Sequence, residues 1–208
     1  MLTRRAFPSL TAAVLALIAT AATERGAGAA EGSQATAFIK QFGDQLVAVV
    51  NGEGSTQQKR ARLQQIINNG VDVDSVARFC LGRFWRIASP EQQKQYISLF
   101  HEVLLNNITS HLGEYRGVGF TLGRTQHRED SEIVSSVVER PNNPPTNVDW
   151  VISNESGDPK VVDVIAEGTS LRLTQRSDYA AYLAHNNNNL QALIEAMRQQ
   201  LAQAQSNG

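Results

Sequence analysis

The chain has 208 residues, 41% of them hydrophobic and 19% charged, which excludes a wholly disordered polymer. Its 19 basic and 20 acidic residues give a formal charge of −1, without the basic excess of a dedicated nucleic-acid binder. A single cysteine, Cys80, excludes an internal disulfide and any multi-cysteine zinc or iron–sulfur site.

In chain order the first feature is at the N-terminus. Arg4 and Arg5 precede an apolar run from Leu10 to Ala22, and small residues follow up to Gly28-Ala29-Ala30. Charged, apolar and small-residue segments in that order predict an export signal, cleaved after Ala29 or Ala30. The 13-residue apolar run is short of the roughly 20 residues that a membrane-spanning helix needs. Thr3-Arg4-Arg5-Ala6-Phe7 is also similar to a twin-arginine signal. Cleavage takes away Arg4, Arg5, Glu24 and Arg25, leaving 16 basic and 19 acidic residues. The expected organisation is a signal over 1–30 and one domain over 31–208, outside the cytoplasm. An unpaired Cys80 in an oxidising compartment is then best buried.

Helices come next. Apolar residues at 35, 38, 39, 42, 46, 49 and 50 share one helical face, which Gly52 and Gly54 end. Ser55 or Thr56 caps a second helix with Leu63, Ile66 and Ile67 on its buried stripe, closed by Asn68-Asn69-Gly70. Val73, Val76, Ala77, Cys80 and Leu81 predict a third, with Asp72 or Asp74 at its start and Gly82 at its end. Ser89-Pro90-Glu91-Gln92 is a capping box with proline at the first helical position. It opens a long helix expected to reach about Tyr115.

After Gly117 the apolar period changes to two. Strands are expected around Phe120–Leu122, Ile133–Val138, Val148–Ser153 and Lys160–Glu167, joined by the turns Pro141–Pro145 and Ser156–Pro159. Short turns between successive strands imply an antiparallel meander. Ser177-Asp178 is expected to cap a short helix to about Ala184, Asn186–Asn189 breaks it, and Leu190 to Leu201 forms a last amphipathic helix. The fold class is α+β: a twisted antiparallel sheet of about four strands roofed by N- and C-terminal helices.

Catalytic and cofactor motifs are absent from this pattern. There is no G-x-S-x-G, H-E-x-x-H, P-loop or G-x-G-x-x-G, and Gly117, Gly119 and Gly123 read as turn chemistry. His101 and His111 are ten apart, not the three or four of a metal pair, so no metal site is expected. Asp72 and Asp74 suit helix capping. Asp163 interrupts the apolar run Val161–Ile165. It is either a paired structural acid or the base of a small enzyme built on a cone-shaped sheet. Aromatic residues cluster around Gly82 and on the following helix, against β-branched strands. One ordinary core can absorb them; the alternative is an apolar cavity between sheet and helices.

The run from Val71 to Gln92 (VDVDSVARFCLGRFWRIASPEQ), followed by Phe100 and Tyr115, resembles the MlaC family of periplasmic lipid-binding proteins, also called the toluene-tolerance family. Lys160–Val164 (KVVDV) and Glu167–Leu171 (EGTSL) resemble the family's strand-to-helix segment, and the likeness covers about residues 36–202. Family members often carry Trp just before the Lys-x-x-Asp-Val run, where this chain has Pro159. The resemblance implies a cofactor-free periplasmic carrier, not an enzyme. It implies a phospholipid ligand, or a hopanoid as in hopanoid-associated relatives. It also implies partners in an inner-membrane ABC transporter complex with a lipid-binding ring subunit and in an outer-membrane lipoprotein complex. On that reading the candidate acyl-chain lining is Phe79, Phe84, Tyr96, Phe100, Leu104, Ile108, Val134, Val138, Trp150 and Val164. Arg83, Arg86 and Arg116 are candidate headgroup contacts.

Overall fold

The computed structural model describes residues 34–206, so the export signal expected over residues 1–30 lies outside the described residues. Helix α1 (Gln34–Asn51) places Ala35, Ile39, Phe42 and Val49 on its buried face. Helix α2 (Thr56–Gly70) starts at a capping box in which Ser55 and Gln58 exchange side-chain and backbone bonds. Asp72 caps α3 (Val73–Leu81), whose end comes at Gly82, with φ of 59°. A single-turn helix α4 (Arg83–Ile87), not anticipated from periodicity, fits between Gly82 and the next cap.

Helix α5 (Pro90–Ser110) begins at the expected Ser89–Gln92 box. It stops short of Tyr115 and passes into a 3-10 turn over Leu112–Tyr115. The β-branched Ile108 and Thr109 and then Ser110 are poor helix formers, and the Thr109 hydroxyl bonds back to the Leu105 and Asn106 carbonyls.

Five strands follow: β1 (Gly119–Arg128), β2 (Ser131–Glu139), β3 (Thr146–Ser153), β4 (Lys160–Ala166) and β5 (Thr169–Ser170). They pair in sequence order, each antiparallel to the next. The fourth strand ends at Ala166 because Glu167 and Gly168, with φ of 48° and 79°, turn the chain into the two-residue β5. Val71 bridges to Val161, and the Asp72 amide donates to the Val161 carbonyl at 3.0 Å, which pins β4 to the α2–α3 junction.

Helix α6 (Leu171–His185) starts earlier than Ser177-Asp178, which lie inside it. The actual cap is Ser170, which accepts from the Leu173 amide at 3.2 Å. The Asp163 carboxylate accepts from the Arg172 amide at 3.1 Å, so a residue on β4 completes the helix N-terminus. Asn187 and Asn188 both have positive φ, of 55° and 56°, and make the expected break before α7 (Leu190–Ser206).

The interior has two parts. The larger is helical: buried residues of α2, α3, α4, α5, α6 and α7 pack together with Val49 of α1. The smaller joins Ala35, Ile39 and Phe42 of α1 to Val134, Ile152 and Val161 of the sheet. Leu46, Ile66 and Val71 pack against both and mark the seam between them.

Candidate functional site

The sheet's inner face follows from its register. Val134 of β2 lies opposite Trp150 of β3, and Trp150 opposite Val164 of β4. Directly opposite residues of antiparallel strands share a face, so these three form one apolar row. Ser136 is two residues along from Val134 on the same face. It accepts from the Trp150 indole Nε1 at 2.9 Å and donates to the Val148 carbonyl at 3.1 Å. That anchor fixes the indole with its apolar edge toward α1.

Helix α1 covers this row. Phe38 and Phe42 stack with ring centres 6.0 Å apart, and Phe42 meets Trp150 edge-on at 5.9 Å. Glycines allow the close approach: a Cβ on Gly43 would stand 2.2 Å from the Phe120 ring, and one on Gly70 would stand 2.4 Å from Phe42. Phe38, Leu122, Trp150 and Val164 remain half-buried around the fully buried Val134 and Ile39. Polar ties hold α1 at its two ends. Asn51 donates to the Val118 carbonyl at 2.9 Å and accepts from the Gly117 amide at 2.7 Å, while Thr36 and Thr125 share a hydroxyl bond of 2.7 Å.

The helical aromatics occupy the other part of the interior. Tyr96, Phe100 and Tyr179 form a triad with ring centres 5.9 to 6.4 Å apart, and the Tyr96 hydroxyl donates to the Ala77 carbonyl at 2.8 Å. Burial pushes both phenols above their usual ionisation range. Phe84 is buried with them, Phe79 and Leu104 pack half-buried at the margin, and Ile108 is exposed. The ten candidate lining residues therefore separate. Val134, Trp150 and Val164 share the sheet row, with Val138 further along the same face of β2, while Tyr96, Phe100 and Phe84 belong to the helical cluster.

The helix over this row is α1, with Ile66 of α2 beside it, while α3 and α6 meet the sheet at β4. On α1, Phe38, Ile39, Phe42 and Leu46 were visible as a helical stripe, two of them phenylalanines four apart, but a stripe does not say which surface it covers. The candidate headgroup arginines separate too. Arg83 and Arg86 precede α5 and Arg116 follows it. A helix of 21 residues at 1.5 Å per residue holds them about 30 Å apart along its axis.

Asp163 is heavily engaged. Its carboxylate accepts from the Val164 amide at 2.8 Å, the Ser170 hydroxyl at 2.6 Å and the Arg172 amide, and Arg172 Nε lies 3.4 Å away. Both oxygens are committed to holding the start of α6. Cys80 is buried beside this network. Burial first, and the Asp163 charge second, push its thiol up to about 12. Among the described residues no group of three or more His, Cys, Asp or Glu is placed to hold a metal ion. No described helix is long and apolar enough to cross a membrane. A groove of about 720 Å³ lies elsewhere, on the helices, lined by Arg78, Trp85, Lys94, Ile97 and His101 among others.

Comparison with known proteins follows the same lines. The family model described as MlaC protein matches residues 40–199. The toluene tolerance protein ttg2D of Pseudomonas putida is 25% identical over 144 residues, covering 68% of this chain and 67% of that one. Among solved structures, a phospholipid-binding protein from Ralstonia solanacearum in complex with a phospholipid superposes with a TM-score of 0.74. Its sequence identity is 23%, and the match covers 83% of this chain and 99% of that one.

Proposed function

The chain belongs to the MlaC family, and from that premise we propose that it is a lipid carrier whose acyl-chain site is the seam between α1 and the sheet. The observation that carries this reading is the Val134–Trp150–Val164 row under Phe38 and Phe42, an apolar interface with half-buried aromatic rings at its margin. Each buried CH₂ is worth roughly 0.8 kcal/mol, so a lipid leaves a bilayer only for an enclosure of equal apolar area. Phe42 of α1, with Phe38 stacked on it, covers Trp150 here, and an acyl chain entering the seam would take the place of Phe42 against Trp150. Phe38 of α1 and Trp150 beneath it are half-buried, so α1 is the layer that would yield. No covalent step is required of any residue.

The phospholipid-bound relative supports a phospholipid as cargo, and the export-like N-terminus supports a periplasmic location. Within the periplasm the carrier would pass lipid between an inner-membrane ABC transporter complex and an outer-membrane lipoprotein complex. Such transfer requires a partner that favours the opened state of the seam.

Trp85 and Trp150 are the two tryptophans, so a Trp85→Phe variant reports on Trp150 alone. Phospholipid carrying a spin label on its acyl chain is expected to quench that fluorescence, and lipid labelled on the headgroup to quench it less. Equal quenching by both, or none, overturns the seam as the site. Mass spectrometry of lipid released from the native protein is expected to show phospholipid. A polycyclic hopanoid in its place would reassign the ligand class.

A further inference from the structure

A second surface lies away from the seam, where α3, α4 and the first turns of α6 meet. Arg172 and Arg176 both lie over the Phe79 ring, with guanidinium carbons 4.5 and 4.9 Å from its centre, and Arg176 donates to the Phe79 carbonyl at 3.3 Å. Arg176 also crosses the α3–α4 junction: a Cβ on Gly82 would come 3.2 Å from its guanidinium carbon. Arg83, the next residue, stacks over Phe84 at 5.0 Å. Arg86 and Ile87 stand three and four residues further on, the spacing that shares a helix face with Arg83. Leu173 stands three before Arg176 by the same rule.

The charge here is one-sided. Arg172 pairs with the buried Asp163. Among the described residues no carboxylate lies within ion-pair distance of Arg83, Arg86 or Arg176. Asp178, on α6, is two residues past Arg176 and therefore on a different face. Three large apolar side chains are exposed among the described residues, and two of them, Ile87 at 76% and Leu173 at 56%, flank these arginines.

We propose that this face docks the protein on an anionic lipid bilayer, the arginines meeting phosphate headgroups and Ile87 and Leu173 entering the interfacial layer. Unpaired cations beside projecting apolar side chains are the pattern of a peripheral membrane surface. An acidic protein partner would match the charge, but it would also need a shaped receptor for the two projecting side chains. A bilayer interface deforms around them. Stacking on Phe79 and Phe84 holds the guanidinium groups outward at little entropic cost.

The test is sedimentation of the purified protein with vesicles of phosphatidylcholine and phosphatidylglycerol in a three-to-one ratio, and with phosphatidylcholine alone. Binding is expected to the anionic vesicles and to weaken as salt rises. Arg83→Gln, Arg86→Gln and Arg176→Gln are each expected to weaken it about fivefold. Leu173→Ser and Ile87→Ser are expected to lower the binding that survives at high salt, and Arg128→Gln, on β1, to leave it unchanged. Failure to bind anionic vesicles, equal binding to both compositions, or an equal loss with Arg128→Gln overturns the proposal. So does capture of an acidic protein through this face by a chain that ignores vesicles. The lipid content of Arg176→Gln separates the two readings: it stays at the unsubstituted level whether or not docking is lost, because Arg176 lies outside the seam.

Discussion

The helical cluster and the α1–sheet cluster are built from the same residue types and differ in the size of the buried centre: nineteen buried residues form the first and six the second, and half-buried side chains rim both. In the helical cluster Tyr96, Leu63, Ala77, Leu183, Leu193 and Ile194 are fully buried, and the Tyr96 phenol has a carbonyl partner. Under α1, Val134 and Ile39 are fully buried but Phe38, Trp150, Leu122 and Val164 around them are not. A complete core resists opening because every displaced side chain leaves a void behind it. A layer over a smaller buried centre opens at lower cost. On the reading proposed above, the first region supplies stability and the second exchanges ligand.

The strongest way to break that contrast is Tyr96→Ala. It removes the centre of the aromatic triad and is expected to cost about 3–5 kcal/mol by denaturant unfolding, leaving lipid per folded molecule unchanged. Phe42→Ala is expected at the low end of that range, about 3 kcal/mol, because Phe38 and Trp150 can close over the gap. Its lipid content, however, should fall severalfold. If Tyr96→Ala loses lipid while Phe42→Ala keeps it, the two regions have exchanged roles.

Asp163→Asn tests the joint between the regions. It weakens the acceptor for the Ser170 hydroxyl and the Arg172 amide and removes the ion pair, an expected loss of about 2 kcal/mol seen as earlier unfolding of α6 by hydrogen exchange. Lipid transfer should survive. Abolished transfer with normal stability would favour the catalytic reading of this acid.

The last effect is confined to high pH and concerns Cys80. Its native thiol keeps its proton up to about 12, against an ordinary 9.0, because burial and then the Asp163 charge disfavour the thiolate. The unfolded chain releases that proton near 9.0. The native state therefore binds more protons above that pH, and stability, full below about pH 9, falls as pH rises toward 12. Cys80→Ala should flatten this part of the stability profile. At neutral pH a thiol reagent should modify Cys80 no faster than the chain opens; faster labelling would show that the helical cluster is not closed.

Much of the architecture was legible because it is written in local rules. The Ser55 and Ser89 boxes, the Asp72 cap, Gly82 and the Asn187-Asn188 break act over a few residues, and each operates as its chemistry suggests. The resemblance carried by Val71–Gln92 named the family. Less was legible where distant residues took part. The start of α6 differs from the expected Ser177-Asp178: Ser170 caps it locally, and Asp163, on another element, adds an acceptor for the Arg172 amide. That Tyr96 and Phe100 pack with Tyr179 is also beyond an amphipathic stripe, which states that a face is buried, not against what.

The sequence by itself determined the element types, the antiparallel order of the strands, the solitary buried cysteine and the family. These depend on periodicity, capping and short connections, whose interactions span few residues. Tertiary structure alone decided that α1 covers the Val134–Trp150–Val164 row and that the other helices build the larger cluster while α2, α3 and α6 also meet β4. It also decided that Arg172 and Arg176 of α6 lie over Phe79 of α3, with Arg176 reaching Gly82 at the start of α4. Those arrangements depend on which buried faces find one another across long stretches of chain, and hydrophobic burial has no direction of its own to announce the partner in advance.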